Sequence, residues 1–247
     1  MTSSFLEIDG VRIRYQQTGH GPDVLLLHGW GGQIESFHPV IQALSPHFRT
    51  TAIDFPGHGQ SGLPPTPWHV SDFLDSTLQL MDRLELSRPH IVAHSFGGRV
   101  TIKLAAQHAG RASRLIFTAG AGVPAPASTG VKLKRLAVHF KPFVPKGVRE
   151  KLTPRLSSSD YRNAGELRPT LGHVVAEDLT PYLPSINHRT LLVWGDSDRE
   201  TPLHCGRVMR DKMPNAELVV FAGAGHFPYL DQPAKFNMLA LRFLRED

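Results

Sequence analysis

The chain has 247 residues, a mass of 27.3 kDa, 40% apolar and 20% charged residues, and 27 basic against 22 acidic side chains for a net charge of +5. That length and composition fit one folded domain with a sizeable core and exclude a wholly disordered chain. A single cysteine, Cys205, excludes an intrachain disulfide framework and a cysteine-cluster metal site; no apolar run reaches the roughly 18 residues of a membrane helix, and the N-terminus MTSSFLEIDGVRIRY lacks the build of a signal peptide, so a cytoplasmic protein is expected.

In chain order, residues 5–8 and 11–16 flank the turn dipeptide Asp9-Gly10 and predict an opening hairpin. Short apolar runs at 24–27, 49–53, 91–93, 115–117, 191–194 and 218–221 suit strands of a sheet buried on both faces. Between them, Phe73, Leu74, Thr77, Leu78, Met81 and Leu84 share one helical face with Ser71 as the expected N-cap. Residues 95–108 and 234–244 also read as helices, and Pro202 opens another. Strands alternating with helices predict an α/β fold: a mostly parallel central sheet flanked by helices.

The rhythm breaks over 121–188, which carries Pro124, Pro126, Pro142, Pro145, Pro154, Pro169, Pro181 and Pro184. Leu133, Leu136, Ala137 and Phe140 fall at i, i+3, i+4, i+7, the spacing of an amphipathic helix. A long excursion between two buried strands reads as a helical cap, inserted between core segments 1–120 and 189–247 and lying over the carboxyl ends of the strands. Residues 131–155 hold eight basic side chains against Glu150 alone, a local excess of seven, so the remainder of the chain sums to −2. Such a patch either attracts an acidic partner or is a solvated helix face. It lacks an aromatic stacking platform, so no nucleic-acid partner is expected.

Four strand ends carry chemistry. The run Ile91-Val92-Ala93-His94-Ser95-Phe96-Gly97 takes an apolar strand straight into a helix. Small residues two before and two after Ser95 permit a tight turn that lifts its hydroxyl above the sheet and aims the Phe96 N–H at the same space. His28-Gly29-Trp30-Gly31-Gly32 follows the third strand, and its backbone, at Trp30, offers a second N–H for a developing oxyanion. A buried strand then ends in Gly195-Asp196-Ser197-Asp198, where either aspartate can supply a carboxylate. The last strand ends in Gly223-Ala224-Gly225-His226, whose glycines let the histidine approach closely. His204 lies on the helix opened by Pro202, poorly placed to bridge Asp198 and Ser95. The run Gly57-His58-Gly59-Gln60-Ser61-Gly62 fits a dinucleotide fingerprint, but Leu63-Pro64-Pro65-Thr66-Pro67 forbids the helix that fingerprint requires.

In chain order the serine, the acid and the histidine match the α/β-hydrolase arrangement, and the sequence resembles the α/β-hydrolase superfamily along essentially its whole length. HGWGG resembles the oxyanion loop, DFPGHGQSG (54–62) the D-x-P-G-x-G-x-S segment, WGDSDRETP the acid loop and GAGHFPYLDQP the histidine loop. The acid-loop pattern selects Asp198 over Asp196. One departure is Ala93, where the commoner elbow has glycine. The resemblance implies a capped serine hydrolase with Ser95 as nucleophile, His226 as base and Asp198 as its orienting acid. The Trp30 and Phe96 N–H groups form the oxyanion hole, and no metal or organic cofactor is needed. Trp30, Phe96, Phe140, Phe143 and Phe227 are the expected pocket residues. The expected substrate is a small carboxylic ester, with a thioester, an enol lactone, a carrier-protein methyl ester or a carbon–carbon bond beside a ketone as alternatives. A ligand receptor with a slow triad is the rival class.

Overall fold

The computed structural model describes residues 3–124 and 164–246. Eight strands form one sheet in the order β1-β2-β4-β3-β5-β6-β7-β8. They are β1 (Ser4–Ile8), β2 (Val11–Thr18), β3 (Asp23–Leu27), β4 (Arg49–Ile53), β5 (His90–His94), β6 (Leu115–Thr118), β7 (Thr190–Gly195) and β8 (Ala216–Phe221). The β1–β2 and β2–β4 pairs are antiparallel, and every pair from β4 through β3 to β8 is parallel.

The continuous apolar runs have a direct cause: both faces of the sheet are covered. Leu25, Leu27, Ile91, Ala93, Leu115, Phe117, Leu192 and Trp194 point to one face, where they pack with residues of α2 (Val70–Arg83), α3 (Phe96–Gln107) and a later helix (Leu203–Lys212). Val24, Leu26, Val92, Ile116, Leu191 and Val193 point to the other, against α1 (His38–Leu44) and the C-terminal helix (Pro233–Arg245). Burying each such side chain stabilises the fold by roughly 1.5–3 kcal/mol.

Two local expectations change. The first turn of α2 begins two residues earlier than Ser71 predicts: His69 is the N-cap, and Asp72 accepts the His69 N–H at 2.6 Å. An aspartate three residues into a helix captures the cap amide more readily than the serine between them. Ser71 instead accepts a hydrogen bond from Lys103 Nζ at 2.7 Å. Pro202 is the N-cap of the helix it was expected to open, which starts at Leu203.

Residues 164–188 run through α4 (Arg168–Ala176), with Pro169 in its first turn, and a 3₁₀ segment (Thr180–Ser185). The amphipathic spacing at 133–140 and the whole basic stretch 131–155 lie outside the described residues. The helices Leu203–Lys212 and Pro233–Arg245 are hereafter α5 and α6. Among the described residues no helix is long and apolar enough to cross a membrane.

Candidate active site

The topology places four loops together. Strand β3 leads through α1 to β4 on one side, and β4 leads through α2 to β5 on the other, so the chain changes direction around β3. A crevice outside the carboxyl ends of the strands is expected at such a switch point. In register, Leu27 pairs with Ala93 and Gly195 pairs with Phe221. The segments after β3, β5, β7 and β8 therefore leave along the same edge.

The turn after β5 is strained. Ser95 has φ 45° and ψ −109°, a region a non-glycine residue rarely adopts and one that costs about 1–3 kcal/mol. Its surroundings hold it there. The Gly97 N–H donates to the His28 carbonyl at 3.0 Å, and a Cβ on Gly97 would lie 2.2 Å from the Leu27 carbonyl oxygen. Only glycine lets the start of α3 lie against the end of β3. The Phe96 N–H belongs to the first turn of α3, whose amides have no intrahelical acceptor, and it opens on the same side as the loop 28–32.

The oxyanion-loop candidate is fixed by His28. Its Nε2 accepts the Phe55 N–H at 3.0 Å, so the proton sits on Nδ1, which donates to the Gly29 carbonyl at 2.6 Å. Burial pulls this imidazole down to about 4, and it stays neutral. Trp30 is half-buried, edge-on to the rings of His58 and Phe96 at 4.7 and 5.5 Å.

The acid loop separates its two aspartates. Asp196 is exposed and accepts the Gly223 N–H at 2.9 Å and the Ser197 hydroxyl at 3.0 Å, as a turn former does. The Asp198 side chain is fully buried and accepts the Glu200 and Thr201 N–H groups at 2.9 and 3.0 Å. His226 Nδ1 lies 3.0 and 3.2 Å from its two oxygens. Burial alone would raise the Asp198 carboxyl, but the His226 hydrogen bond and charge, with Thr201 and the Glu200 N–H, hold it below its ordinary range. The two loops touch because Gly195 has no side chain: a Cβ there would lie 2.2 Å from the Ala224 carbonyl oxygen.

Ser95 and His226 line one cavity of about 330 Å³ with Trp30, His94, Glu200 and Phe227. Ser95 also lines a second, more apolar cavity of about 500 Å³ with Trp30, Phe96, Val123, Leu171 and Val174. The structure thus brings Ser95, Asp198, His226, Trp30, Phe96 and Phe227 together, while His204 is exposed on α5. Phe140 and Phe143 lie outside the described residues.

Three side chains at the site were not singled out from the sequence. His94 donates its Nε2–H to the His226 carbonyl at 2.9 Å and so ties the histidine loop to the elbow. Burial, then the neighbouring His226 charge, pull His94 down to about 3. Thr201 places its hydroxyl 2.8 Å from Asp198 Oδ2. Glu200 sets a carboxylate oxygen 3.8 Å from His226 Nε2. The available signal was position alone: His94 inside the elbow motif, and Glu200 and Thr201 between Asp198 and Pro202.

The glycine run 57–62 forms turns and bends and opens no helix. Asp54 itself takes the anion's place, accepting the Ile34 and Gln60 N–H groups at 2.7 and 2.8 Å and pairing with Arg14 at 3.2 Å. No group of three or more His, Cys, Asp or Glu side chains suited to a metal ion occurs among the described residues.

With this geometry in place, the comparisons assign the class. The profile of the Alpha/beta hydrolase family matches residues 24–239, and the chain belongs to that family. A putative carbamate hydrolase from Caulobacter segnis is 28% identical over 244 residues, covering 90% of each chain. A 2-hydroxy-6-oxononadienedioate/2-hydroxy-6-oxononatrienedioate hydrolase from a Pseudomonas species is 26% identical, covering 96% of this chain and 93% of its own. The solved enol-lactonase of Burkholderia xenovorans superposes with a TM-score of 0.78 at 25% identity, covering 98% of this chain and 100% of that one. The protein is a hydrolase of this fold.

Proposed function

We propose that the protein is a serine hydrolase that cleaves a small carboxylic ester, lactone or thioester through an acyl-enzyme. The observation that carries this reading is the Asp198–His226 pair at 3.0 Å beside a strained Ser95 that lines the same cavity. Ser95 Oγ attacks the acyl carbonyl while His226 takes its proton. His226 then returns that proton to the leaving group, and Asp198 orients the ring and stabilises its cation. The N–H groups of Trp30 and Phe96 receive the oxyanion. Water enters after the leaving group departs, His226 deprotonates it, and the carboxylate product leaves with Ser95 restored.

Residues 121–188 serve as the cap in this reading. Support comes from Leu171 and Val174 of α4, which wall the apolar cavity next to Ser95. The names of the relatives keep enol lactones and carbon–carbon bonds on the substrate panel. An acidic carrier protein bearing the ester is a further candidate partner, resting on the basic stretch alone.

A panel of esters, thioesters, lactones and vinylogous diketones tests the reading. Wild-type protein should turn over at least one class, and Ser95→Ala should reduce that rate by about 10³-fold or more with its thermal unfolding unchanged. Turnover of Ser95→Ala at the wild-type rate would refute it; binding without any turnover would favour a ligand receptor.

A further inference from the structure

The larger cavity beside Ser95 has apolar walls and two cations that the catalytic reading does not use, the exposed Arg199 and the more enclosed Arg99. Arg99 stands on α3 four residues after Ser95, about 6 Å along the helix axis, and lines that cavity. Helical side chains lean toward the helix N-terminus, which carries the guanidinium back toward the elbow.

Its partners are the informative feature. Arg99 Nη1 donates to the backbone carbonyl of Glu177 at 2.8 Å. The Glu177 carboxylate is engaged elsewhere, 2.6 Å from the buried Lys103 ammonium. Asp178 accepts the Thr180 N–H at 2.9 Å. The Cys205 thiol shares the cavity, but burial pushes it up to about 11, so it is no anion at neutral pH, and it points at the Val123 carbonyl. Glu200 and the exposed Arg199 complete the charged lining, and Glu200 stands at the other end, 3.8 Å from His226 Nε2. Among the described residues, no carboxylate lies within ion-pair distance of Arg99.

A guanidinium offers five N–H donors in a planar fork matched to a carboxylate, and one donor here is spent on a carbonyl. Burial draws Arg99 down to about 10, against the pull of Glu177 and Asp178, and it remains charged at neutral pH. A largely enclosed charge that has no paired carboxylate among the described residues is unfavourable, and an anionic ligand relieves it. Glu200 repels an anion from the His226 end, so the two charges orient such a ligand along the cavity.

We propose that Arg99 is a carboxylate-binding residue, and that the preferred substrates are acyl compounds carrying a second, free carboxylate a few carbons from the scissile carbonyl. This rests on Ser95 as nucleophile.

The test compares monomethyl glutarate with its uncharged isostere methyl pentanoate. In wild-type protein kcat/KM should favour the glutarate ester, and in Arg99→Gln the ratio of the two should fall by at least about tenfold, with Arg99→Lys between. The preference should persist in about 0.5 M salt, where exposed charges are screened. A ratio unchanged in folded Arg99→Gln, or a preference abolished by salt, overturns the proposal. Ser95→Ala protein, which keeps Arg99, gives a second readout free of turnover. Calorimetry should find monomethyl glutarate bound at least about tenfold more tightly than methyl pentanoate, and equal affinities overturn the proposal even if Arg99→Gln fails to fold. Wild-type protein that turns over no member of the ester, thioester, lactone and diketone panel yet shows the binding preference contradicts the hydrolase reading while upholding the carboxylate subsite.

Discussion

Asp196 and Asp198 differ by two positions and by everything their oxygens touch. Asp198 accepts two backbone N–H groups and the His226 ring, whereas Asp196 pins the exposed turn to Gly223. Asp198→Asn should therefore lower kcat by about 10³–10⁴-fold, because the amide offers its NH₂ to the wrong imidazole tautomer. Asp196→Asn should remain within about threefold of wild type, as an exposed turn residue does. The reverse ranking would assign the orienting role to Asp196. The sequence alone left this choice open; the family-like spacing from Gly195 settled the expectation. His94, by contrast, was not legible, because its role is a contact to a carbonyl 132 residues away.

At the scale of elements, the strands and their order of appearance were plain, since a doubly covered parallel sheet writes itself as apolar runs. The helix α1 was missed although Phe37, Val40, Ile41 and Leu44 keep helical spacing and all are buried. At seven residues it covers only about two turns, shorter than the roughly 11-residue window over which helical periodicity is told from chance. The N-cap of α2 shifted because Asp72 competes with Ser71, a contest that propensity does not resolve. The basic stretch 131–155 gives a prediction at this scale. If its charge recruits an acidic carrier, replacing Lys132, Lys134 and Arg135 with Gln should lower kcat/KM for a carrier-bound ester by about tenfold at low salt. The loss should vanish near 1 M salt, where screening reaches about 3 Å, and stopped-flow association rates would show it. Equal effects on carrier-bound and free neutral esters would make the stretch a solvated face.

For the molecule as a whole, acid should be more damaging than its net charge suggests. Burial draws His28 to about 4, His58 to about 3 and His94 to about 3, so all three are neutral when folded at pH 5. Unfolding returns them to about 6.5. Below that pH the unfolded chain binds more protons, and stability falls as the pH drops from about 6.5 toward 4. Three such groups give a slope near 4 kcal/mol per pH unit, from about 1.4 kcal/mol each. Urea unfolding at a series of pH values measures it, and a flat profile across that window would show that these rings are not held neutral.

The central claim concerns one hydroxyl. Wild-type protein treated with a fluorophosphonate ester and digested for mass spectrometry should carry a single adduct on Ser95. That adduct should be absent from Ser95→Ala and should form at least about 10²-fold more slowly in His226→Ala, where the general base is gone. An adduct on another serine, or equal labelling of His226→Ala, would contradict the account.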